Sequence, residues 1–302
     1  MKPAPFVYHA PRELQEALDL LAEHGHEGKV LAGGQSLVPV LNMRLAAPAH
    51  LVDINRLPDL DRVEVTDELV RVGALVRHAD LLADDAAHEA QPLLRQALEH
   101  VAHPVIRNRG TVVGSLAHAD PSGEMPAILA ITDGAVQLRS GDGGREVPWH
   151  EFFVAPMESA VAPEELAVGA TFGRFPAGTR TAFTETARRH GDYAVAGTAL
   201  ALRVEDGRAT LARASYVSVT EVPSVLDLLP VLEGHDLAGG TADDALLEAV
   251  GTAVAGFVDP GDDIHATTDY RRHLAVVQTR RLLADLLGGP TVSPVGRKER
   301  NR

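Results

Sequence analysis

The stretch Lys29-Val30-Leu31-Ala32-Gly33-Gly34-Gln35-Ser36-Leu37 decides how this chain is read. Lys29 to Ala32 is a short run that reads as a buried strand, and Gly33-Gly34 breaks it. A helical pattern follows, with Ser36 placed as its N-cap and its side chain accepting from an amide of the first turn. Pro39 falls within that turn, where a missing N–H removes no intrahelical bond. The two glycines permit conformations that a Cβ forbids, so consecutive amides can converge on one anion. Helix polarity adds partial positive charge at the same point. The stretch is a candidate phosphate cradle built from backbone, but two glycines and a capping serine are common and more often make an ordinary strand–helix turn. The loop by itself leaves both readings open.

Working outward, His50-Leu51-Val52-Asp53-Ile54 reads as the next strand, and strand–helix–strand order predicts a small α/β unit with parallel strands. Before it, Leu14, Ala17, Leu18 and Leu21 recur at helical spacing, with Pro11 suited to a first helical position and Gly25 placed to stop the helix. Leu69 to Val76 reads as a strand and Pro92 to Val101 as a helix. The texture changes near Phe175-Pro176-Ala177-Gly178. Thr181 to Arg189, Ala196 to Val204 and Arg208 to Val219 then read as strands, the last two joined by Asp206-Gly207, a strong hairpin signal. Helices are expected over Val225 to Leu232, Ala242 to Val254 and Thr268 to Leu287. The expected division is a domain over 1–175 made of two α/β subdomains, a second domain over 176–288, and a disordered basic tail over 289–302. That tail carries Arg297, Lys298, Arg300 and Arg302 around a single Glu299.

The 302 residues hold 28 Lys+Arg against 42 Asp+Glu, a net charge of −14. Such a surface repels phosphate backbones and argues against a nucleic-acid partner. With 45% hydrophobic and 23% charged residues the composition is that of a soluble globular protein. The first residues show no apolar signal core and no run approaches membrane-spanning length, so a cytoplasmic protein without a membrane span is expected. Cysteine is absent, which excludes disulfides, thiolate nucleophiles and cysteine-ligated iron–sulfur clusters in this chain. No Gly-x-Gly-x-x-Gly, P-loop, Gly-x-Ser-x-Gly or His-Glu-x-x-His motif occurs, so nicotinamide, ATPase and hydrolase readings lack support. Among the 14 histidines, His100, His103 and His118 lie close in sequence. Pro104 breaks the helix that would aim the first two together, and no metal site is expected there.

A second loop, Asn108-Arg109-Gly110-Thr111-Val112-Val113-Gly114-Ser115, again combines glycines with small hydroxyls. Two such loops could clamp the two phosphates of a dinucleotide. Here the chain becomes recognisable. Val30 to Leu37, Asn42-Met43-Arg44-Leu45 and Leu51 to Ile54 resemble the FAD-binding medium subunit of molybdenum hydroxylases, the family of xanthine dehydrogenase and aerobic carbon monoxide dehydrogenase. Val105 to Thr111, Gly114-Ser115-Leu116-Ala117-His118-Ala119-Asp120-Pro121, Arg188 to Ala194, Asp262-Asp263 and Tyr270-Arg271-Arg272 match the same family. The likeness runs in order from about Pro5 to Leu287.

The resemblance implies an α+β, two-domain FAD-binding fold of the vanillyl-alcohol-oxidase/PCMH type, with a C-terminal domain of three antiparallel strands plus a helix bundle. It implies that Lys29, Val30 and Leu31 lead into a pyrophosphate loop of Ala32, Gly33, Gly34, Gln35 and Ser36 that ends at Leu37. Thr111, Gly114 and Ser115 would oppose it, with His118 near the flavin and Asp120 a polar contact on the ribose or adenine side. Leu166 would be an apolar neighbour of the adenine or flavin. Tyr193 would lie beside the isoalloxazine ring, or else fill a domain interface. No side chain is implied to be a catalytic acid, base or nucleophile. The chemistry implied is electron transfer: a molybdenum-cofactor large subunit oxidises the substrate and a [2Fe–2S] small subunit relays electrons. FAD on the medium subunit passes them to NAD, oxygen or a quinone-type acceptor, in a dimer of three-subunit units.

One position departs from the pattern, since the family has two adjacent glycines where this chain has Val113-Gly114. If Val113 needs a positive φ, strain of about 1–3 kcal/mol follows and Val113→Gly should tighten FAD binding. If φ is negative there, the valine is tolerated. Two other functions stay open at this point: a stand-alone flavin oxidase or dehydrogenase with a pocket between its domains, and a scaffold subunit whose nucleotide site has decayed.

Overall fold

Residues 7–53 form the smallest layer of the fold, seen in a computed structural model that describes Lys2–Gly288. Strand β1 (Val7–His9), helix α1 (Leu14–His24), β2 (Gly28–Leu31), α2 (Leu37–Asn42) and β3 (His50–Asp53) build a parallel sheet of order β1-β3-β2. β2 and β3 run parallel as expected, with Leu31 opposite Asp53. β1 is an addition, because three residues after a Pro-rich start show no period. Helix α1 buries Ala17, Leu18 and Leu21 and stops at Gly25, whose φ is +49°; Glu13 precedes its first turn, so Pro11 lies outside the helix. The basic tail expected from residue 289 lies outside the described residues.

Residues 63–173 build an antiparallel sheet. β4 (Val63–Val65) and β5 (Leu69–Gly73) lead into α3 (His78–Ala83), α4 (Asp85–Ala90), α5 (Pro92–Leu98), α6 (Pro104–Arg107), α7 (Val112–His118) and α8 (Glu124–Ile131). Then come β6 (Ala135–Ser140), β7 (Gly143–Pro148), α9 (Trp149–Phe152), the small pair β8 (Phe153–Ala155) and β9 (Glu158–Ser159), and β10 (Leu166–Gly173). The strand order is β4-β5-β10-β6-β7. Every residue of α8 is buried. From Met125 onward it is apolar all round because it is enclosed on all sides, so it carries no amphipathic period in the sequence.

The C-terminal sheet has the three long strands anticipated: β11 (Arg180–Ala187), β12 (Ala194–Glu205) and β13 (Arg208–Val217). Glu205 pairs with Arg208 across Asp206 (φ +49°) and Gly207 (φ +74°), the two positive φ values of a type I′ turn. The helix expected over Val225 to Leu232 is instead β14 (Val225–Asp227), added to the sheet edge, followed by the single turn α10 (Leu229–Leu232). Pro230 explains the difference: it fits a first helical turn, whereas a helix begun at Val225 would place it in the interior. α11 (Asp244–Phe257) and α12 (Thr268–Gly288) cover one face of the sheet and close a second core around Leu200, Tyr216, Val250 and Leu283. Arg271 fastens α12 to the sheet by donating to the carbonyls of Val195 (2.8 Å) and Ser218 (3.1 Å) and to Asp263. Asp262 accepts from the Thr268 amide at the start of α12. The Asp262-Asp263 and Arg271 signature is thus a fastening of the fold.

Candidate cofactor site

A cleft of about 840 Å³ runs past the loop after β2, along α7, to the loop joining β11 and β12. The loop after β2 supplies its backbone wall. The amides of Gly33, Gly34, Gln35, Ser36 and Leu37 donate to no acceptor among the described residues. Gln35 Nε2 donates to the Gly33 carbonyl at 3.2 Å and folds the loop on itself. Gly34 takes φ +73°, a conformation that disfavours a side chain. Gly33 is required for another reason: a Cβ there would stand 2.4 Å from the Arg109 carbonyl oxygen and 2.7 Å from Gly110 Cα. The two loops therefore touch backbone to backbone. Ser36 precedes α2, but its side chain makes no cap bond, because its ψ of −45° is helical rather than extended. With only six residues in α2, the wall acts through loop amides more than through helix polarity.

The second loop behaves differently. Thr111 caps α7 by accepting from the Gly114 amide at 3.1 Å, and the Ser115 amide bonds to the Thr111 carbonyl. The Gly114 and Ser115 amides are thus engaged, so at these two residues the wall offers side chains and surface rather than free N–H groups. A Cβ at Gly114 would meet Thr111 Oγ1 at 2.5 Å, which accounts for that glycine. Val113 lies within α7 with negative φ and a buried side chain. The strain premise behind a tightening Val113→Gly substitution does not hold.

A tie between the loops escaped the sequence reading. Arg77 donates to the Arg109 carbonyl and to Asn55 Oδ1, both at 2.6 Å, and Asn55 Nδ2 donates to the Ala32 carbonyl at 2.8 Å. One guanidinium thus holds the second loop directly and the loop after β2 through Asn55. His78 lies next to it, buried under Gly110 with both ring nitrogens unpartnered. Burial, then the Arg107 charge, pushes its pKa down to about 4, so it is a neutral cleft-wall residue.

Of the sixteen residues singled out from the sequence, Lys29, Val30, Ala32, Gly33, Gly34, Gln35, Ser36, Leu37, Thr111, Gly114, Ser115, His118, Asp120, Leu166 and Tyr193 line this cleft. Leu31 does not; its side chain packs beneath Gly34. Leu166 is 2% exposed at the start of β10, whereas Tyr193 is 68% exposed on the far rim. Burial lowers the His118 pKa, the neighbouring Asp120 raises it and Lys29 lowers it. Gly191 carries the rim loop with φ +87° and sits against the His103 ring. Glu124 is a further lining residue that sequence motifs passed over. Burial pushes its pKa up to about 8, and the charges of Glu185 and Asp120 add to that, so a neutral carboxyl faces the cleft at neutral pH.

Comparison with known proteins gives the site its context. Residues 4–172 match the family described as FAD binding domain in molybdopterin dehydrogenase, and residues 181–286 the CO dehydrogenase flavoprotein C-terminal domain. The 6-hydroxypseudooxynicotine dehydrogenase complex subunit alpha of Paenarthrobacter nicotinovorans is 38% identical over 95% of this chain and 96% of its own. The nicotine 6-hydroxylase medium subunit of the same organism is 35% identical over 94% and 98%. Among solved structures, carbon monoxide dehydrogenase from Hydrogenophaga pseudoflava superposes with a TM-score of 0.88 at 32% identity, over 94% of this chain and 97% of that one. Match, fold and cleft agree: the chain belongs to the FAD-binding medium-subunit family of the molybdenum hydroxylases and is an FAD-binding oxidoreductase subunit.

Proposed function

We propose that this chain is the electron-relay flavoprotein of a heteromeric cytoplasmic molybdenum hydroxylase. It receives electrons from [2Fe–2S] clusters on a small partner subunit, which are filled by a molybdenum-cofactor large subunit, and delivers them to an external acceptor such as NAD, oxygen or a quinone. The observation that carries the reading is the absence of cysteine from a chain with an FAD cleft: it has no thiolates to hold a cluster, so the clusters belong to another polypeptide. Division into a domain over 1–175 and another over 176–288 belongs to the same reading.

The cleft suits the cofactor. Its volume lies within the usual range for bound ligands of about 300–1,000 Å³. The free amides of Gly33 to Leu37 fit a pyrophosphate, and Thr111, Gly114 and Ser115 would flank it from α7. Lys29, His118, Asp120, Glu124, Leu166 and Tyr193 would contact the remainder. When bound, FAD supplies the exchange between one-electron and two-electron steps. The protein's part is to hold and orient it, and no residue is assigned an acid–base role.

Purification of the native protein tests this. The reading expects yellow flavoprotein that copurifies with an iron–sulfur and a molybdenum-containing chain, and FAD reduction by substrate only when all three are present. Substrate oxidation by the isolated flavin-loaded chain would overturn it in favour of a stand-alone oxidase. A chain that takes up no FAD at all would overturn it in favour of a scaffold.

A further inference from the structure

Away from the cleft wall, His9, His24 and His50 meet at the end of the small parallel sheet. His50 opens β3 and is paired with Val7 of β1; His9 lies two residues beyond Val7, so both imidazoles project from one face of the sheet. His24 is the last residue of α1, the helix packed on that sheet. One ring nitrogen from each lies within 4.8 Å of the others. His9 Nε2 and His50 Nδ1 are 2.9 Å apart, and the His24 and His50 rings stack with centroids separated by 3.6 Å. The His24 ring has no hydrogen bond among the described residues. All three are half-buried.

We propose that His9, His24 and His50 form a binding site for a divalent transition-metal ion of the Zn²⁺ type. Nitrogen donors without sulfur or clustered carboxylates select the zinc, nickel and copper(II) class over magnesium or calcium. Ligation at about 2.0–2.1 Å needs nitrogens a little over 3 Å apart, so the closest pair must open slightly and the third close in. Rotation of half-exposed side chains supplies both movements. The fourth position falls to water or to Glu23, an exposed carboxylate near His9. A bound ion replaces three imidazoles facing one another by three lone pairs on one cation. It would fasten β1, α1 and β3 together just before the chain enters Gly28 and the loop after β2. None of the three lines the FAD cleft. Their wide separation, 41 positions between His9 and His50, is why no spacing motif reveals them.

Full-length FAD-loaded protein, stripped with a chelator and dialysed against Zn²⁺ at neutral pH, tests the proposal. Wild type should take up one equivalent with high affinity and melt at a higher temperature with Zn²⁺ than without it. His9→Gln and His24→Gln, both at half-exposed positions, should each weaken uptake by at least the roughly 10–100-fold that even a lost outer-shell partner costs, and lose the thermal shift. His150→Gln, on α9, should change neither. Zn X-ray absorption should find an imidazole nitrogen shell at about 2.0–2.1 Å. Uptake that stays intact in both cluster variants, a purely oxygen shell, or no saturable uptake near one equivalent overturns the assignment. Flavin content read in the same samples keeps the result separate from the cofactor site.

Discussion

Glu124→Gln should change how the stability of the flavin-free chain depends on pH. The wild-type carboxyl is 8% exposed and titrates near 8, against 4.5 for an ordinary glutamate. Below pH 4.5 it is neutral in both the folded and unfolded chains and has no effect. As pH rises from there, the unfolded chain ionises while the folded chain holds its proton, so stability falls, and the fall is complete once pH passes about 8. At 1.36 kcal/mol per pH unit the whole effect is on the order of 5 kcal/mol. Water entering from the cleft reduces that, leaving an expected loss of about 2–5 kcal/mol. Glutamine keeps the shape and stays neutral, so the variant escapes the loss. Urea denaturation of both proteins at pH values from about 5 to 9 reads the difference. Variant and wild type should converge at the acid end and separate progressively up to pH 8, with the variant more stable. A difference that stays constant across the range would refute a protonated Glu124, because a normally titrating carboxylate contributes no slope there.

Gly33→Ala should raise the Kd for FAD about tenfold or more (~1.4 kcal/mol), since its methyl must push the Arg109–Gly110 backbone away; flavin-release titration checks this, and unchanged affinity would mean the loops do not need to touch. Arg77→Ala should destabilise the chain by about 2–3 kcal/mol in chemical denaturation, because the Arg109 carbonyl and the Asn55 side-chain oxygen lose a charged donor. Val113→Gly should lower stability by about 2–3 kcal/mol, from lost burial and helix propensity, without tightening FAD binding; a calorimetric melt and a flavin titration on one preparation decide both halves.

Local chemistry made part of this molecule readable from sequence. Strand, glycines and helix follow in order over Lys29 to Leu37, and Asp206-Gly207 demands its own turn. These features depend on neighbours in the chain. Others depend on partners far away. β14 exists because β13 offers an edge, and α8 hides its helical period by burying every face. Arg77 reaches Asn55 and Arg109 across 22 and 32 positions, so its role is visible only once both loops are in place. Glu124 carries no motif in the sequence, and burial beside Glu185 and Asp120, visible only in the fold, makes it a neutral group. Ser36 shows the opposite failure: the residue type predicted a cap, and the backbone angle removed it.

The five free amides of the loop after β2 have one more consequence. A lysine-built phosphate site acts through net charge, which dissolved salt screens. Main-chain dipoles at contact distance present no net charge to screen, and hold their ligand by the direction of each N–H. On the proposed assignment of these amides to the pyrophosphate, grip on the cofactor is decoupled from ionic strength and from the sign of the surrounding surface. An acidic polypeptide can then vary its exterior charge to suit whatever docks on it, while a nucleotide held in this way would keep the position that the fold of nine residues gives it.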